Sequence, residues 1–598
     1  MSNIDNAAAP ASLGDELDES LQDTNWANTV SAGGGNGITD NRSSIFAFDG
    51  SSRSNTVGID NLIFGGSPSN IVGAKWGNAL RQGANLTYSF STPSSTYLSG
   101  SPGSLLTLTA EQIATARAVM QTFANVSNLT FSEVADSANG AGDIRWGRTG
   151  NTSAIPTSAA YRPAQGHPFS GDIWIGVSNS QYTNPSQKGS YGYQTFLHEL
   201  GHAVGLLHPH NGAVAPVVAE DQLKYSVMSY RSFEGASLTW GYSNSFYPTS
   251  LMLNDVAAIQ YLYGVNSGYQ TGNNTYSWTA DTSIFETLVD AGGVDTLDAS
   301  NQTQGVLLNL NSGTWSQIGK AFWNGKEYVR DCLTIAYTTT IENATGSAYN
   351  DTLIGNAVAN VLDGRAGADS MQGNGGDDRY IVDNSGDTVT EQANAGYDLV
   401  EISGSGISQY TLPGNVESLD LVYAAGNING TGNALNNYIR GNQANNVLTG
   451  GKGYDKLSGQ RGSDTYIFNR GDGFDSISEI GKDDASASVD VDVLKFGTGI
   501  KTDQLWFSKE SYDGVLVVGV IGTEDKVSIN YWYANQQTAW SEARIEKMQT
   551  SDGKTLTYDK VDQLVNAMAA FSPPAMGQTT LPSNYQQALA PVIAAAWA

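Results

Sequence analysis

The segment Thr195-Phe-Leu-His-Glu-Leu-Gly-His-Ala-Val-Gly-Leu-Leu-His-Pro209 contains the pattern H-E-x-x-H-x-x-G-x-x-H. On a helix, His198 and His202 lie about one turn apart on the same face, so both imidazoles can reach one metal ion. Gly205 can adopt the left-handed conformation that ends a helix and turns the chain back, which brings His208 to the same ion. The spacing therefore predicts a zinc site with three histidine ligands.

The other polar residues near this segment have separate predicted roles. Glu199 follows the first histidine and can reach a water molecule on the zinc ion, where its carboxylate acts as general base. Four of the five histidines of the chain lie between residues 198 and 210. We expect His210 to be exposed or to lie behind the ligands, because the fourth position of a catalytic zinc site is left to water. His167 lies far upstream and is predicted to have no role at the metal.

The residues around the zinc motif predict a mixed α/β domain from about residue 76 to 265. Thr109-Ala-Glu-Gln112 is a capping box, which predicts that a helix begins there. The zinc motif itself lies on a second helix, predicted around Gln194 to Val204. Short β-like runs complete the pattern at Leu129–Phe131, Asp143–Trp146 and Asp172–Gly176.

Composition and charge exclude several classes of protein. Acidic residues outnumber basic ones by 58 to 30, and the net charge of −28 repels nucleic acid and anionic lipid but attracts cations. The single cysteine, Cys332, allows no intrachain disulfide, so we expect bound metal to supply any extra stabilisation outside the cell. No run of 18 apolar residues occurs, and residues 1–10 lack the pattern of a signal peptide. We expect no membrane insertion and no ordinary N-terminal signal.

A repeat begins after about residue 266, where Gly, Asn and Asp rise sharply and helical periodicity disappears until the last fifty residues. In two series, glycines fall nine residues apart, and each unit has Asp or Asn at its sixth place and an apolar residue at its eighth. The glycines are Gly346, Gly355, Gly364 and Gly373, then Gly432, Gly441, Gly450 and Gly459. The eighth places are Leu353, Leu362, Met371 and Tyr380, then Ile439, Leu448, Leu457 and Tyr466.

This nine-residue period predicts a parallel β-roll that binds calcium. The Gly-rich half of each unit forms a tight turn, and the other half forms a short strand whose apolar side chain points inward. Aspartates at the sixth place and turn carbonyls offer the all-oxygen shell that Ca²⁺ prefers. Asparagines at that place add no charge and should weaken their sites; they are Asn360, Asn437 and Asn446. The predicted calcium ligands are Asp351, Asp369, Asp378, Asp455 and Asp464.

A disordered Gly/Asn linker is the alternative interpretation of the repeats. A disordered linker, however, would have no reason to keep an apolar residue at the same place in every nine-residue unit. We therefore favour the roll.

Downstream of the zinc motif, Tyr225-Ser-Val-Met-Ser-Tyr230 has the methionine turn expected of metzincins. With this turn, the chain resembles the serralysins, bacterial metzincins that join a zinc protease domain to calcium-binding nonapeptide repeats. The resemblance covers roughly residues 60–385, including Leu253–Gly264 and Asp290–Leu297. It implies that Met228 forms an apolar base beneath the metal. It also implies that Tyr230 is a further, displaceable zinc ligand that swings to stabilise the tetrahedral intermediate.

Two features depart from the minimal family pattern. The chain has additional sequence at about 385–431 followed by the second repeat series, and residues 469–598 are more similar to the ends of larger repeats-in-toxin proteins. The chain stops at Ala594-Ala-Ala-Trp-Ala598, without the family's usual acidic residue followed by three apolar ones. Export by the type I secretion machinery is implied by the resemblance.

Together these observations predict a secreted, calcium-stabilised zinc endopeptidase that acts on proteins and peptides as a monomer. Zinc-activated water attacks the peptide carbonyl, and Glu199 accepts its proton. We expect the substrate to pair with an edge strand at Asp172–Gly176.

Two other functions compete with this one. A calcium-dependent repeats-in-toxin adhesin or surface protein with a vestigial protease domain is the main alternative, but such a protein would not need an intact Glu199. An esterase or lipase on the same repeats is disfavoured, because no G-x-S-x-G elbow accompanies a strand and helix.

The predicted fold class is an α+β metzincin domain followed by an all-β parallel β-roll and a C-terminal β region. The predicted boundaries are 1–75 for a poorly ordered leader or propeptide and an irregular segment, 76–265 for the catalytic domain, 266–345 for a β connector, 346–390 for the first calcium block, 391–431 for an inserted linker, 432–468 for the second block, and 469–598 for a β region carrying the secretion signal.

Overall fold

A computed structural model describes most of the chain. The described residues are 43–49, 51, 54, 56–67, 70–93, 95, 105–136, 141–151, 155, 158–164, 167, 169–177, 185, 187–211, 218–238, 244–424, 426–479, 490–510, 514–533 and 544–598. Residues 1–42 of the predicted leader lie outside this set. Within the described ranges, no helix is both long and apolar enough to cross a membrane.

The helices, in chain order, are α1 Val57–Ile63, α2 Ala110–Val126, α3 Tyr191–Ala203, α4 Leu253–Tyr263, α5 Val561–Met568 and α6 Ser583–Ala596. The strands up to residue 340 are β1 Ile45–Asp49, β2 Gly65–Ser67, β3 Asn70–Trp76, β4 Ala84–Phe90, β5 Leu105–Leu106, β6 Leu129–Glu133, β7 Ile144–Thr149, β8 Ser158–Ala160, β9 Asp172–Ile175, β10 Thr275–Ser277, β11 Glu286–Leu288, β12 Thr296–Asp298, β13 Leu307–Asn309, β14 Trp315–Ser316, β15 Phe322–Trp323, β16 Tyr328–Val329 and β17 Leu333–Ile335.

The later strands are β18 Asn343–Thr345, β19 Thr352–Ile354, β20 Val361–Asp363, β21 Ser370–Gln372, β22 Arg379–Val382, β23 Thr388–Thr390, β24 Leu399–Ile402, β25 Gln409–Thr411, β26 Ser418–Asp420, β27 Asn429–Thr431, β28 Tyr438–Arg440, β29 Val447–Thr449, β30 Lys456–Ser458, β31 Thr465–Phe468, β32 Phe474–Ile477, β33 Val493–Phe496, β34 Leu505–Lys509, β35 Leu516–Val520, β36 Lys526–Ile529, β37 Lys547–Gln549 and β38 Thr555–Thr557.

The chain forms two compact units. The first contains the residues up to Asp295 and the segment Asn311–Ile341, and the second contains Thr296–Leu310 and Glu342–Ala598. The predicted connector 266–345 is therefore not a separate region, since its residues are divided between the two units. The prediction followed the change in composition near residue 266, whereas the chain continues to pack in the first unit well beyond that point.

The first unit is built around a sheet with the strand order β6-β4-β7-β9-β8. Strands β4, β6, β7 and β9 run parallel, and β8 pairs antiparallel with β9. Helices α2, α3 and α4 contribute apolar side chains to one core, which includes Phe123, Phe196 and Ile259. The capping box at Thr109 is confirmed, because its side chain accepts from the Gln112 N–H and its own N–H donates to that glutamine.

The prediction that Asp172–Gly176 is an edge strand is wrong. Strand β9 occupies this segment and pairs with β7 on one side and β8 on the other. The edge strand next to β9 is β8. It is three residues long, which is too short to show a strand pattern in the sequence. The irregular structure predicted before residue 76 is also incorrect, because β1 and β2 flank β3 in a sheet and Leu62, Ile63 and Phe64 are buried.

The second unit contains a coiled β region, which we define as strands β18–β33. Alternate strands join opposite sheets, and strands of the same sheet pair in parallel with their neighbours, as β18, β20 and β22 do. The three-residue strands of the repeat series point their middle side chain inward, as the repeat predicts. The eighth-place residues are all buried, namely Leu353, Leu362, Met371, Tyr380, Ile439, Leu448, Leu457 and Tyr466.

The segment 391–431 is not the inserted linker predicted from the sequence. It contains β24–β27, and β24 pairs with β22 and β26 while β25 pairs with β27. Val400 and Leu419 are fully buried in the same manner as the repeat residues. The coils continue here because a strand needs only one inward apolar residue, whereas the longer turns interrupt the nine-residue spacing of glycines.

The C-terminal segment 469–598 is only partly β. Strands β34, β35 and β36 pair antiparallel, but helices α5 and α6 follow them. Leu564, Met568, Leu589 and Ile593 are buried from these helices. The helical periodicity in the last fifty residues is thus confirmed, and the prediction of a purely β region is corrected.

Candidate metal centre and active site

Three histidines converge in the first unit. His198 and His202 come from α3, and His208 follows the turn after it. The Nε2 atoms are 3.1 Å apart for His198 and His202, 3.1 Å for His198 and His208, and 3.0 Å for His202 and His208. All three side chains are buried. The structure therefore brings together the three residues that the motif predicts.

The protonation of these rings fits a metal site. The Nδ1 atom of His198 lies 2.8 Å from the Val227 carbonyl oxygen, and that of His202 lies 2.8 Å from the Leu206 carbonyl oxygen. A carbonyl only accepts hydrogen bonds, so Nδ1 carries the proton and Nε2 presents a lone pair. Burial lowers the pKa of His198 to about 4, which keeps this ring neutral. Converging lone pairs repel one another unless a cation lies between them, and three imidazole nitrogens suit zinc.

The end of α3 positions the third histidine. Gly205 has a φ of 114°, in the left-handed region, and its N–H donates to the His202 carbonyl. A side chain there would collide with the Ala74 carbonyl oxygen, 2.6 Å from the position of an added Cβ. The Trp76 indole N–H donates to the Ala203 carbonyl, and the Tyr263 hydroxyl donates to the Val204 carbonyl. Neighbouring elements thus hold this helix end in place.

The methionine turn lies against the motif helix. Met228 is fully buried, and its Sδ atom would be 2.5 Å from a Cβ added to Gly201 on α3. Asp255, on α4, accepts hydrogen bonds from the Ser226 hydroxyl at 2.6 Å and from the Val227 N–H at 2.7 Å. Because the Val227 carbonyl in turn accepts from His198, Asp255 positions this histidine through one peptide group. The sequence gives no sign of this role, since Asp255 is 28 residues from Val227.

Glu199 is buried beside the histidines and is fixed by a residue that the sequence did not reveal. The Ser158 hydroxyl, on edge strand β8, donates to Glu199 Oε1 at 2.6 Å. Ser158 is 41 residues earlier in the chain, and a lone serine carries no motif. This contact holds the glutamate carboxylate against the edge strand.

Aromatic rings surround the histidine cluster. The Tyr230 ring centroid lies 4.4 Å from that of His208 and 5.7 Å from that of His198. The His210 ring stacks on His208 at 5.1 Å, and its Nδ1 lies 3.6 Å from Asp221 Oδ1. His210 therefore lies behind the cluster, one of the two positions that we expected for it. His167 lies away from these residues and stacks on Tyr161 at 5.6 Å.

Asp221 holds His210 and the residues near it in place. It accepts hydrogen bonds from the Ser229 hydroxyl at 2.6 Å and from the Arg231 Nε–H at 2.9 Å. Burial by itself favours a neutral carboxyl, but interactions with His210, Ser229 and Arg231 outweigh it and hold the pKa of Asp221 below its usual range. A charged Asp221 next to His210 keeps the ring behind His208 in a fixed orientation.

Known proteins show similarity over both units. The family model described as Peptidase M10 serralysin C terminal matches residues 254–538. The chain is 34% identical to Metallopeptidase AprA of Pseudomonas marginalis over 336 residues, covering 50% of this chain and 68% of that protein. It is 34% identical to Serralysin B of Dickeya chrysanthemi over 302 residues, covering 46% of this chain and 60% of that protein. The chain belongs to the serralysin family.

Serralysins are metalloendopeptidases that use a catalytic zinc ion and also bind calcium. The match to Serralysin B spans less than two thirds of that relative's length. For this serralysin, the histidine cluster offers donors for zinc, and the coiled β region offers oxygen donors for calcium.

The sixth-place residues of the coiled β region form a ladder. The N–H of each donates to the Oδ1 atom of the residue one coil later, as Asp351 does to Asp369 at 2.7 Å and Asn437 to Asp455 at 2.7 Å. Among the described residues, the Oδ2 atoms of Asp369, Asp378 and Asp455 are buried without a hydrogen-bond partner. Burial raises the pKa of Asp369 and Asp378 to about 7, because the charged form has lost its water. A divalent cation at these oxygens would restore the favourable environment of the charge.

Asp351 and the asparagines at the sixth place differ from these aspartates in that their side chains have hydrogen-bond partners. Both oxygens of Asp351 accept hydrogen bonds, Oδ1 from the Val306 N–H and Oδ2 from the Ser347 N–H. Asn360 Nδ2 donates to the Glu342 carbonyl at 2.8 Å, and Asn446 Nδ2 donates to the Ile428 carbonyl at 2.8 Å. The amide thus links neighbouring coils directly at these places. Weaker calcium binding at the asparagine places stays a prediction.

Proposed function

We propose that this serralysin is a secreted endopeptidase that hydrolyses proteins and peptides, with His198, His202 and His208 holding the catalytic zinc. The convergence of three Nε2 atoms within 3.1 Å of one another carries the proposal. Carbonyl acceptors at Nδ1 leave two of these atoms, those of His198 and His202, unprotonated. When bound there, zinc supplies Lewis-acid chemistry, which polarises a peptide carbonyl and makes water more acidic.

Glu199 is proposed as the general base. Its buried carboxylate accepts the proton of the attacking water and later delivers that proton to the leaving amine. Ser158 keeps Oε1 in a fixed direction, so the carboxylate does not have to reorient at each turnover. No covalent intermediate between enzyme and substrate is needed.

Tyr230 is proposed as a further zinc ligand that moves aside and then stabilises the tetrahedral intermediate with its hydroxyl. Its ring already lies against His208 and His198, which supports this assignment. A hydroxyl directed at developing negative charge lowers the barrier of acyl transfer.

We propose that the substrate pairs with β8, which replaces the strand predicted from the sequence. In the described part of the chain, β8 pairs only with β9, and it also carries Ser158. An extended peptide added to this edge through its main chain would lie next to Glu199. Main-chain pairing accepts many side chains, so broad selectivity is expected.

Calcium is proposed to order the coiled β region through Asp351, Asp369, Asp378, Asp455 and Asp464. All five hold the same place in their turns, and the buried Oδ2 atoms of Asp369, Asp378 and Asp455 support this role further. Low cytoplasmic calcium would leave this region loose for passage through a type I secretion system, and extracellular calcium would then order it.

The test is casein hydrolysis by the purified chain in calcium, with and without 1,10-phenanthroline, a chelator that removes zinc. Hydrolysis that stops with the chelator and returns with added zinc is expected. A folded, zinc-loaded chain without hydrolysis would instead indicate the adhesin or surface protein.

A further inference from the structure

Arg162 is a cation that the proposed mechanism does not use, and it lies just beyond the edge strand β8. Pairing with the neighbouring strand continues past the end of β8. The Tyr161 N–H donates to the Asp172 carbonyl at 2.9 Å, and the Gly171 N–H donates to the Tyr161 carbonyl at 2.8 Å. Arg162 therefore belongs to the edge on which we propose that the substrate lies, and the inference below rests on that proposed function.

The side chains along this edge alternate between two faces of the sheet. Ala159 and Tyr161 pack in a small apolar cluster on one face. Ser158 points to the other face, where its hydroxyl donates to Glu199. Because successive side chains of an extended chain point to opposite sides, Arg162 lies on the same face as Ser158. The cation and the proposed general base thus share one face of the edge.

The pairing also fixes which backbone groups are directed at the substrate. Tyr161 turns both its N–H and its carbonyl toward the chain of β9. In an antiparallel pair the backbone groups of alternate residues point to opposite sides, so those of Ala160 and Arg162 point away from β9. At about 3.3 Å per residue, Arg162 lies about 13 Å along the edge from Ser158. A peptide that adds to this edge as a strand therefore passes Arg162 within a few residues of its scissile bond.

The Arg162 side chain extends to the loop that carries the third histidine. A Cβ added to Gly65, on β2, would lie 3.8 Å from Arg162 Nη1 and 3.4 Å from Leu207 Cδ1, so both atoms lie next to one point. Leu207 directly precedes His208. The charge of Arg162 also reaches this histidine, because the pKa of His208 is lowered first by burial, then by the neighbouring histidines and by Arg162. The guanidinium is therefore placed between the edge strand and the histidine cluster.

The charge of Arg162 is opposite to that of the chain as a whole. Acidic residues outnumber basic ones by 58 to 30, so the general field of the protein repels acidic peptides. A guanidinium group offers several N–H donors in a planar fork that matches a carboxylate. Arg162 is half-buried, and desolvation strengthens such a contact relative to one in open water. This residue thus supplies a local attraction for an acidic side chain.

We infer that Arg162 selects substrates that carry a glutamate or aspartate close to the scissile bond, by donating hydrogen bonds to that carboxylate. Main-chain pairing with β8 accepts many sequences and sets the register of the peptide. The guanidinium then favours an acidic residue at one position of that register. A contact with a side chain that does not react is the same in the ground state and the transition state, so it acts on KM more than on kcat.

The test compares kcat/KM for pairs of peptides that differ only in glutamate against glutamine. The pairs are built on a casein sequence, and the glutamate is moved through the positions on both sides of the scissile bond. We expect one position at which glutamate is preferred about tenfold, as one charge-assisted hydrogen bond provides, mainly through KM. Arg162→Gln should abolish this preference, Arg162→Lys should keep part of it, and Arg162→Glu should favour lysine there. Arg117→Gln is the control and should keep the preference, because Arg117 lies on α2 and pairs with Glu133 at 2.8 Å.

Fluorescence anisotropy of the same peptides with the zinc-loaded Glu199→Gln chain gives a readout that does not depend on turnover. Adding Arg162→Gln to that chain should weaken binding of the glutamate peptide about tenfold and leave the glutamine peptide unchanged.

Several outcomes would overturn the inference. The same glutamate preference in the unchanged chain and in Arg162→Gln would do so while leaving the proposed function intact. A uniform loss of kcat on every peptide would also do so, because the guanidinium would then act on the zinc centre instead of on the substrate. If the zinc-loaded unchanged chain cleaves no peptide, the proposed function fails and the anisotropy measurement alone decides the role of Arg162. Circular dichroism checks folding, and Arg162→Lys against Arg162→Glu repeats the comparison if the glutamine variant does not fold.

Discussion

The histidine cluster and the acidic coils are both candidate metal centres, but they are organised by different forces. The histidines lie within eleven residues, are neutral, and are held by carbonyl acceptors in a core that contains Trp76, Trp146 and Phe196. The donors of the coils are carboxyl groups from turns spaced nine or more residues apart, and burial raises the pKa of Asp369 and Asp378 among them to about 7. We therefore propose that the fold prepares the first centre before metal arrives, whereas metal helps to create the second.

Order-of-magnitude energies support this difference between the histidine centre and the acidic coils. Two unit charges about 4 Å apart repel by about 4 kcal/mol at an effective dielectric constant of about 20. Fully burying one apolar side chain contributes about 1.5–3 kcal/mol. Since each short strand of the coils buries little more than one such side chain, we expect repulsion between neighbouring ionised carboxylates to outweigh that gain unless a cation is bound.

The largest effect that separates chemistry from folding is expected for Glu199→Gln. The variant keeps three histidines and should therefore keep zinc and the fold, but it cannot accept a proton. We expect kcat/KM on casein to fall by about 10²–10⁴-fold. Zinc content by atomic absorption checks the metal, and Glu133→Gln, exposed in the same unit, is the control. Near-normal cleavage by the zinc-loaded variant would remove Glu199 from this role.

Tyr230→Phe should produce the next largest effect. The ring still packs on His208, but the hydroxyl is lost, so kcat should fall by about 10²-fold while KM changes little. Tyr225→Phe serves as the control, because that ring packs on Trp315 instead. An unchanged kcat would leave Tyr230 with a packing role only.

Asp255→Asn tests whether the histidine centre is prepared by hydrogen bonds. Asp255 Oδ1 accepts from the Ser226 hydroxyl, and Oδ2 accepts from the Val227 and Met252 N–H groups. The asparagine side chain has a single oxygen and can replace only one of these two acceptors, so the methionine turn and the Val227 carbonyl should loosen. We expect zinc affinity to fall by about 10–100-fold, as for other partners of metal ligands, with the calcium dependence of folding unchanged. Competition with a fluorescent zinc chelator measures this, and unchanged affinity would show that Asp255 only stabilises α4.

The smallest expected effects compare coils that have aspartate at the sixth place with coils that have asparagine there. Asp369→Ala should shift the calcium midpoint of folding upward, because its Oδ2 is proposed to face the ion. Asn360→Ala removes an amide that already bonds to the Glu342 carbonyl, so it should lower stability by about 1 kcal/mol equally at low and high calcium. Urea unfolding at several calcium concentrations measures both variants, and equal calcium shifts would contradict the distinction.

Local spacing explains what the sequence could predict. The positions of His198, His202, Gly205 and His208 follow from helix geometry over eleven residues, and the inward residues of the coils follow from the nine-residue period. Contacts between distant segments could not be predicted, including Ser158 with Glu199 and Asp255 with Val227. The coils at 391–431 were missed because longer turns changed the period while the inward packing stayed the same.

The central claim is that zinc performs the chemistry while calcium forms the coiled β region. It is tested most directly by far-ultraviolet circular dichroism of the metal-free full chain, titrated first with zinc and then with calcium at fixed ionic strength. We predict little change with zinc and a cooperative gain of β signal with calcium. The same β signal before and after calcium would contradict the claim.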